Sequence, residues 1–124
     1  AGKINGPGGR LEPDEAPAIG AARELREELG VTAAHSEKIG EHRFQFVDGY
    51  AIHVHVYKAS GLRGDPVETD EAIPVWYDIC AIPYDEMWED DRIWLPLLLE
   101  GRQFLGYWLF DGDRMLDYRL DVLE

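Results

Sequence analysis

The polar and apolar positions alternate with two periods along this chain. Ala18, Ile19, Ala22, Leu25 and Leu29 recur at helical spacing. They predict a helix that Asp14 can cap, with Pro17 in its first turn and Gly30 as its stop. Gly20 inside that helix costs about 1 kcal/mol against alanine. Further on the period shortens. Ile52, Val54 and Val56 alternate with His53, His55 and Tyr57, which predicts a half-buried strand. It pairs with "EHRFQFV" in a hairpin turned at Asp48-Gly49. "AIPVWYDI" reads as another strand. "DDRIWLPLLLEG" reads as a helix ending near Gly101 and irregular around Pro96. "RQFLGYWLF" and "RMLDYRLDVL" flank Asp111-Gly112-Asp113 as a second hairpin, and the glycine-rich residues 1–13 read as a loop. The sum is a mixed α/β fold with an antiparallel component and one or two helices packed on it.

Composition narrows what such a fold can do. The 124 residues fit one domain, with 45% hydrophobic and 30% charged positions typical of a globular protein. Acidic residues outnumber basic ones 25 to 12. That surface repels polyanions, so nucleic-acid polymers are not expected partners, whereas divalent cations are favoured. No apolar run approaches the roughly 20 residues a membrane span needs, and "IWLPLLL" is short and broken by Pro96. The single cysteine, Cys80, allows no intramolecular disulfide and suits a reducing, cytoplasmic setting.

The helix after residue 14 carries the candidate chemistry. At 100° per residue, Glu24, Glu27 and Glu28 share one face. Three carboxylates so close repel one another by a few tenths of a kcal/mol per pair, unless a hard cation joins them. A solvated acidic face is the simpler reading of any one such helix. The full spacing adds more. Gly9, five residues, Glu15, seven residues, Arg23-Glu24-Leu25, one residue, Glu27-Glu28, one residue and Gly30-Val31 resembles the complete signature of the Nudix hydrolases. The resemblance implies a Nudix fold, a mixed β-sheet sandwiched between α-helices, and a pyrophosphohydrolase acting on a nucleoside diphosphate linked to a further group. It implies Mg²⁺ or Mn²⁺ held by Glu24, Glu27, Glu28 and the Gly9 carbonyl, with Glu15 and Arg23 bracing the loop and helix. Glu28 is the first choice for main ligand and for base, and Glu71 matches a later loop glutamate that some members use as ligand or base. Taken alone, Glu71 reads as a surface charge.

Outside the signature, "GKINGPGG", "PVETDEAIPVW", "AIPYDEMWEDDRIWLPLLLEG" and "GYWLF" through "LDYRL" resemble the branch that hydrolyses oxidised purine nucleoside triphosphates such as 8-oxo-dGTP. In "MWEDD", Trp88 offers a face on which a purine can stack for about 1–3 kcal/mol. Asp90 and Asp91 can accept from purine N–H groups, and one kept protonated can donate. Asn5 adds an amide, and Phe44, alternating with Phe46, can wall the pocket. Without the resemblance, Trp88 reads as a core or rim aromatic and Asp90-Asp91 as the cap of the following helix. Trp94 and Trp108 read as core. His53 and His55 point the same way on their strand; the sequence shows no third ligand, so a solvent face or sheet packing is the expected role.

The chain departs from the family in one respect: only eight residues precede Gly9, where members carry a strand and more. A single Nudix domain over 1–124, without its leading strand, is therefore expected, its open edge filled by upstream residues or by a second copy as a homodimer. Pro7 stands where the branch has an aromatic. Two other readings keep the fold: a pyrophosphatase for ordinary dNTPs or nucleotide-sugars, and an inactive nucleotide-binding module.

Overall fold

The structure is a computed structural model that describes residues 3–123. Its elements run helix α1 (Pro17–Leu29), strands β1 (Thr32–Phe46) and β2 (Ala51–Arg63), a short 3₁₀ turn, helix α2 (Asp91–Leu99), and strands β3 (Phe104–Asp111) and β4 (Arg114–Val122). The strands form one mixed sheet in the order β2-β1-β3-β4. The two outer pairs are the hairpins expected from Asp48-Gly49 and Asp111-Gly112-Asp113. The central pair, β1 with β3, is parallel, with Gly40 beside Phe104 and Phe46 beside Phe110. No helix among the described residues is long and apolar enough to cross a membrane.

The chain divides into two compact units. Among the described residues, one comprises 3–5, 38–56 and 79–123; the other comprises 6–37 and 57–78. In the first, the even positions of β3 point into the core: Phe104 and Phe110 are fully buried and Trp108 nearly so. Beside them on β1 lies His42, 2% exposed, ringed by Phe44, Trp94, Phe104 and Trp108. The Trp108 indole donates to His42 Nδ1 at 2.9 Å. An indole N–H can only donate, so Nδ1 is bare and the ring proton sits on Nε2. Burial pushes His42 down to about 3, and the ring is neutral at working pH. Trp108→Phe keeps the aromatic packing and strands a buried acceptor. A loss of about 1–2 kcal/mol in unfolding free energy is expected, read as a lower urea midpoint at unchanged slope.

Three expectations need correcting. Asp14 does not cap α1: it sits in a turn with φ 62°, the N-cap is Ala16, and no side chain bonds there. Pro17 starts the helix instead, its missing N–H being one the helix cannot use anyway. "AIPVWYDI" forms no strand. Pro74 in its middle lacks a ladder donor, and Ile73, Val75, Trp76 and Ile79 stay exposed. Asp90 is the N-cap of α2 by position, yet its carboxylate makes no capping bond. The apolar stripe of α1 is also only partly buried, since Ile19 remains 63% exposed. Gly30 does stop the helix, in the left-handed conformation that glycine adopts without strain.

Candidate active site

The second unit gathers the acidic group. Its loop 6–16 and α1 are held together by Arg23, whose guanidinium donates to Glu15 at 2.8 and 2.9 Å, to Glu24 at 2.8 Å, to Glu27 at 2.9 Å and to the Arg10 carbonyl at 3.0 Å. Glu15 also accepts from the Glu12 N–H. The Arg23 hydrogen bond, and after it the Glu12 amide, hold the Glu15 carboxyl down at about 2. This bracing explains Gly20, which a helix-propensity argument would reject, and Gly9 in the loop before the helix. A Cβ on Gly20 would strike Leu11 and the Glu15 carboxylate, and one on Gly9 would lie 2.7 Å from the Glu24 carboxylate. Each glycine lets the loop close on the helix.

Carboxylate oxygens of Glu24, Glu27 and Glu71 lie within 4.8 Å of one another. Glu71 arrives by a route the sequence did not suggest. Thr69 donates through Oγ1 to the Glu28 carbonyl at 2.6 Å, and the Val67 N–H bonds the Leu29 carbonyl at 3.0 Å. These bonds satisfy carbonyls left open at the end of α1. They tie the 67–71 loop to the helix, and the Glu71 N–H in turn points at Thr69 Oγ1. Thr69 is thus a positioning residue that sequence reasoning missed; its only signal was standing two residues before Glu71. Glu28 stands beside the trio, against Glu24 and near Glu71. Its Oε2 accepts from the Gly8 N–H at 3.0 Å. Burial first, then Glu24, pushes its carboxyl up to about 7, against the opposing Gly8 bond. An all-oxygen group of this kind matches the donors a hard divalent cation takes.

The first unit gathers the aromatic and aspartate group. Trp88 meets Phe110 edge-on at 5.7 Å, Phe44 tilts against the same Phe110 at 6.0 Å, and the Lys3 ammonium stands 5.5 Å over the Trp88 ring. Asp90 and Asp91 are 3% and 8% exposed. Asp90 accepts from the Trp94 indole at 2.7 Å. Burial raises both carboxyls; in Asp91 the neighbouring Asp90 adds to it, and the group reaches about 7. A bond from the Ile4 N–H to the Glu86 carbonyl draws the 3–5 segment to the turn before Trp88, and there Asn5 is exposed. All five pocket residues expected from the sequence therefore fall in this unit, and Glu15, Glu24, Glu27, Glu28 and Glu71 in the other.

The profile of the NUDIX domain matches residues 1–98. The chain belongs to the Nudix family. An oxidized purine nucleoside triphosphate hydrolase of Danio rerio is 42% identical over 126 aligned positions, covering all of this chain and 81% of that one. The Mus musculus protein of the same name is 38% identical over the same extent. A CTP pyrophosphohydrolase of Escherichia coli K12 is 36% identical over 69 positions, 56% of this chain and 50% of its own. Among solved structures, the mutator MutT protein of Bacillus halodurans superposes with a TM-score of 0.82 at 26% identity, over 93% of this chain and 80% of that one. Nudix enzymes are hydrolases that generally work with a divalent metal ion, and this Nudix chain presents an acidic cluster whose geometry can accept one.

Proposed function

We propose that this Nudix hydrolase cleaves oxidised purine nucleoside triphosphates, of the 8-oxo-dGTP kind, to the monophosphate and pyrophosphate, and so clears damaged bases from the cytoplasmic nucleotide pool. The observation that carries the substrate class is the buried Asp90-Asp91 pair in the unit that holds Trp88, in a chain with full-length relatives named for that substrate. Trp88 stacks on the base, and Phe44 and Asn5 border it. A pair of buried carboxyls, one protonated, offers a donor and an acceptor to a purine edge.

In the acidic group, Glu24, Glu27, Glu28 and the Gly9 carbonyl would hold Mg²⁺ or Mn²⁺, with Glu71 as a further ligand or as base. When bound, such an ion neutralises charge on phosphate oxygens and makes its water more acidic. Water oxygen adds to phosphorus, the anhydride P–O bond breaks, and a carboxylate, Glu28 in first place, takes the water proton. Arg23 keeps the carboxylates in register, and Glu15 holds Arg23.

The test is a panel of nucleotides incubated with the protein and Mg²⁺, with products separated by chromatography. Oxidised purine triphosphates are expected to turn over fastest and to yield monophosphate plus pyrophosphate. Preference for CTP or for nucleotide-sugars would replace the substrate class and keep the reaction. No turnover of any nucleotide would leave a binding module.

A further inference from the structure

On the sheet face opposite Phe44, β1 and β2 bring together a second cluster whose chemistry differs from that of the helix. Glu41 and Phe44 are three positions apart on one regular strand, so their side chains leave it on opposite faces. His53 and His55 project from β2, their rings 4.5 Å apart. His53 Nε2 lies 2.6 Å from Glu41 Oε1. Ligand atoms of Glu41, His53 and His55 all fall within 4.8 Å of one another. The hairpin register supplies the third ligand that the His-Val-His spacing alone did not show.

We propose that Glu41, His53 and His55 form a binding site for a borderline divalent transition-metal ion of the zinc class. Two imidazoles and one carboxylate are a donor set such ions favour, and one that magnesium, which takes oxygen ligands, does not. Ligand atoms around one zinc ion, each about 2.0–2.2 Å from it, stand roughly 3–3.5 Å apart. Glu41 and His53 are already closer than that, and both side chains are partly open to solvent, so small rotations admit the ion. A hydrogen-bonded His53–Glu41 pair would account for those two residues without a metal. It leaves His55 Nδ1 buried with no hydrogen-bond partner among the described residues. A ligand role gives that imidazole a reason to lie beside the pair. Two cations stand near. Lys38 Nζ bonds the other Glu41 oxygen at 3.0 Å and is 41% exposed, so it can swing clear, and Arg43 follows Glu41 on the same face. Three protein ligands leave one position for water or for a group from elsewhere. Because Glu41 is on β1 and both histidines are on β2, a bound ion staples the hairpin.

The metal-free protein is titrated with zinc chloride in competition with a chromophoric chelator, and the thermal midpoint is read with and without zinc. Wild type is expected to bind one zinc equivalent that raises the midpoint. His53→Gln and His55→Gln are expected to weaken that equivalent at least ~10-fold and abolish the rise, while Glu28→Gln keeps both. Circular dichroism confirms that each variant is folded, and Glu41→Gln supplies a third one. Magnesium-dependent hydrolysis by His53→Gln should equal wild type, which separates this site from the acidic one. Zinc binding of unchanged affinity in both histidine variants, or no zinc equivalent in wild type, overturns the proposal.

Discussion

Replacing Glu28 by glutamine is expected to leave the protein folded and to slow nucleotide hydrolysis at least ~10²-fold, the usual scale for losing a positioned base or metal ligand. The amide keeps an oxygen that can accept from the Gly8 N–H, so the loop contact at 3.0 Å survives the change. It removes the charge and the ability to take a proton. Initial rates with 8-oxo-dGTP and Mg²⁺ give the comparison, and circular dichroism with a thermal scan confirms the fold. Arg23 already neutralises part of the Glu24 and Glu27 charge, so these neighbours cannot replace the missing carboxylate at the Gly8 side. A Glu28→Gln protein as fast as wild type, or a wild type that stays active in excess chelator, would remove the hydrolytic role given to this helix.

The second large effect lies at Asp91. Asp91→Asn should change the discrimination between oxidised and normal purine triphosphates by ~1–3 kcal/mol in relative kcat/KM, as expected when a buried charged hydrogen bond is lost. Trp88→Ala should weaken all purines alike. The same aspartate has a signature in stability. Its carboxyl titrates near 7 in the fold because of burial and of Asp90, against about 3.9 in an unfolded chain. Between those values the folded chain holds a proton that the unfolded chain has released, so stability falls as pH rises through that window. The asparagine side chain is neutral at every pH. The variant should therefore be more stable than wild type at pH 8, and the gap should close toward pH 4. Unchanged purine preference in both variants would refute the pocket, while equal pH profiles would refute the burial of that charge.

Much of this was legible in the sequence because it is local. Helical spacing located α1 and α2, and two Asp-Gly turns located both hairpins. The spacing from Gly9 to Val31 named Glu24 and Glu27, two of the three carboxylates the structure clusters, while Glu71 lies outside it. Other features depend on partners far along the chain. The first half of β1, "TAAHSEKI", has no alternation to read, because it is a strand only through its pairing. "AIPVWYDI" has the composition of a strand, but Pro74 lacks a ladder donor. Glu41 stands 12 residues before His53, and only the hairpin register joins them. Buried His42 looked like any polar residue between Glu41 and Arg43, because all of its aromatic cage but Phe44 comes from α2 and β3.

The parallel pairing at the middle of the sheet sets the order in which the chain can complete itself. Hairpins such as β3–β4 close within their own neighbourhood, in about 1–10 μs for isolated examples. The β1–β3 ladder joins Gly40 to Phe104, a contact of high sequence separation that must wait for a long loop to close. During synthesis, a ribosome must release Phe110 before His42, Phe44 and Phe46 can meet their neighbours on β3. Until then the β1–β2 hairpin has one edge unpaired and its aromatic face uncovered, the form in which a growing chain is most apt to pair with another.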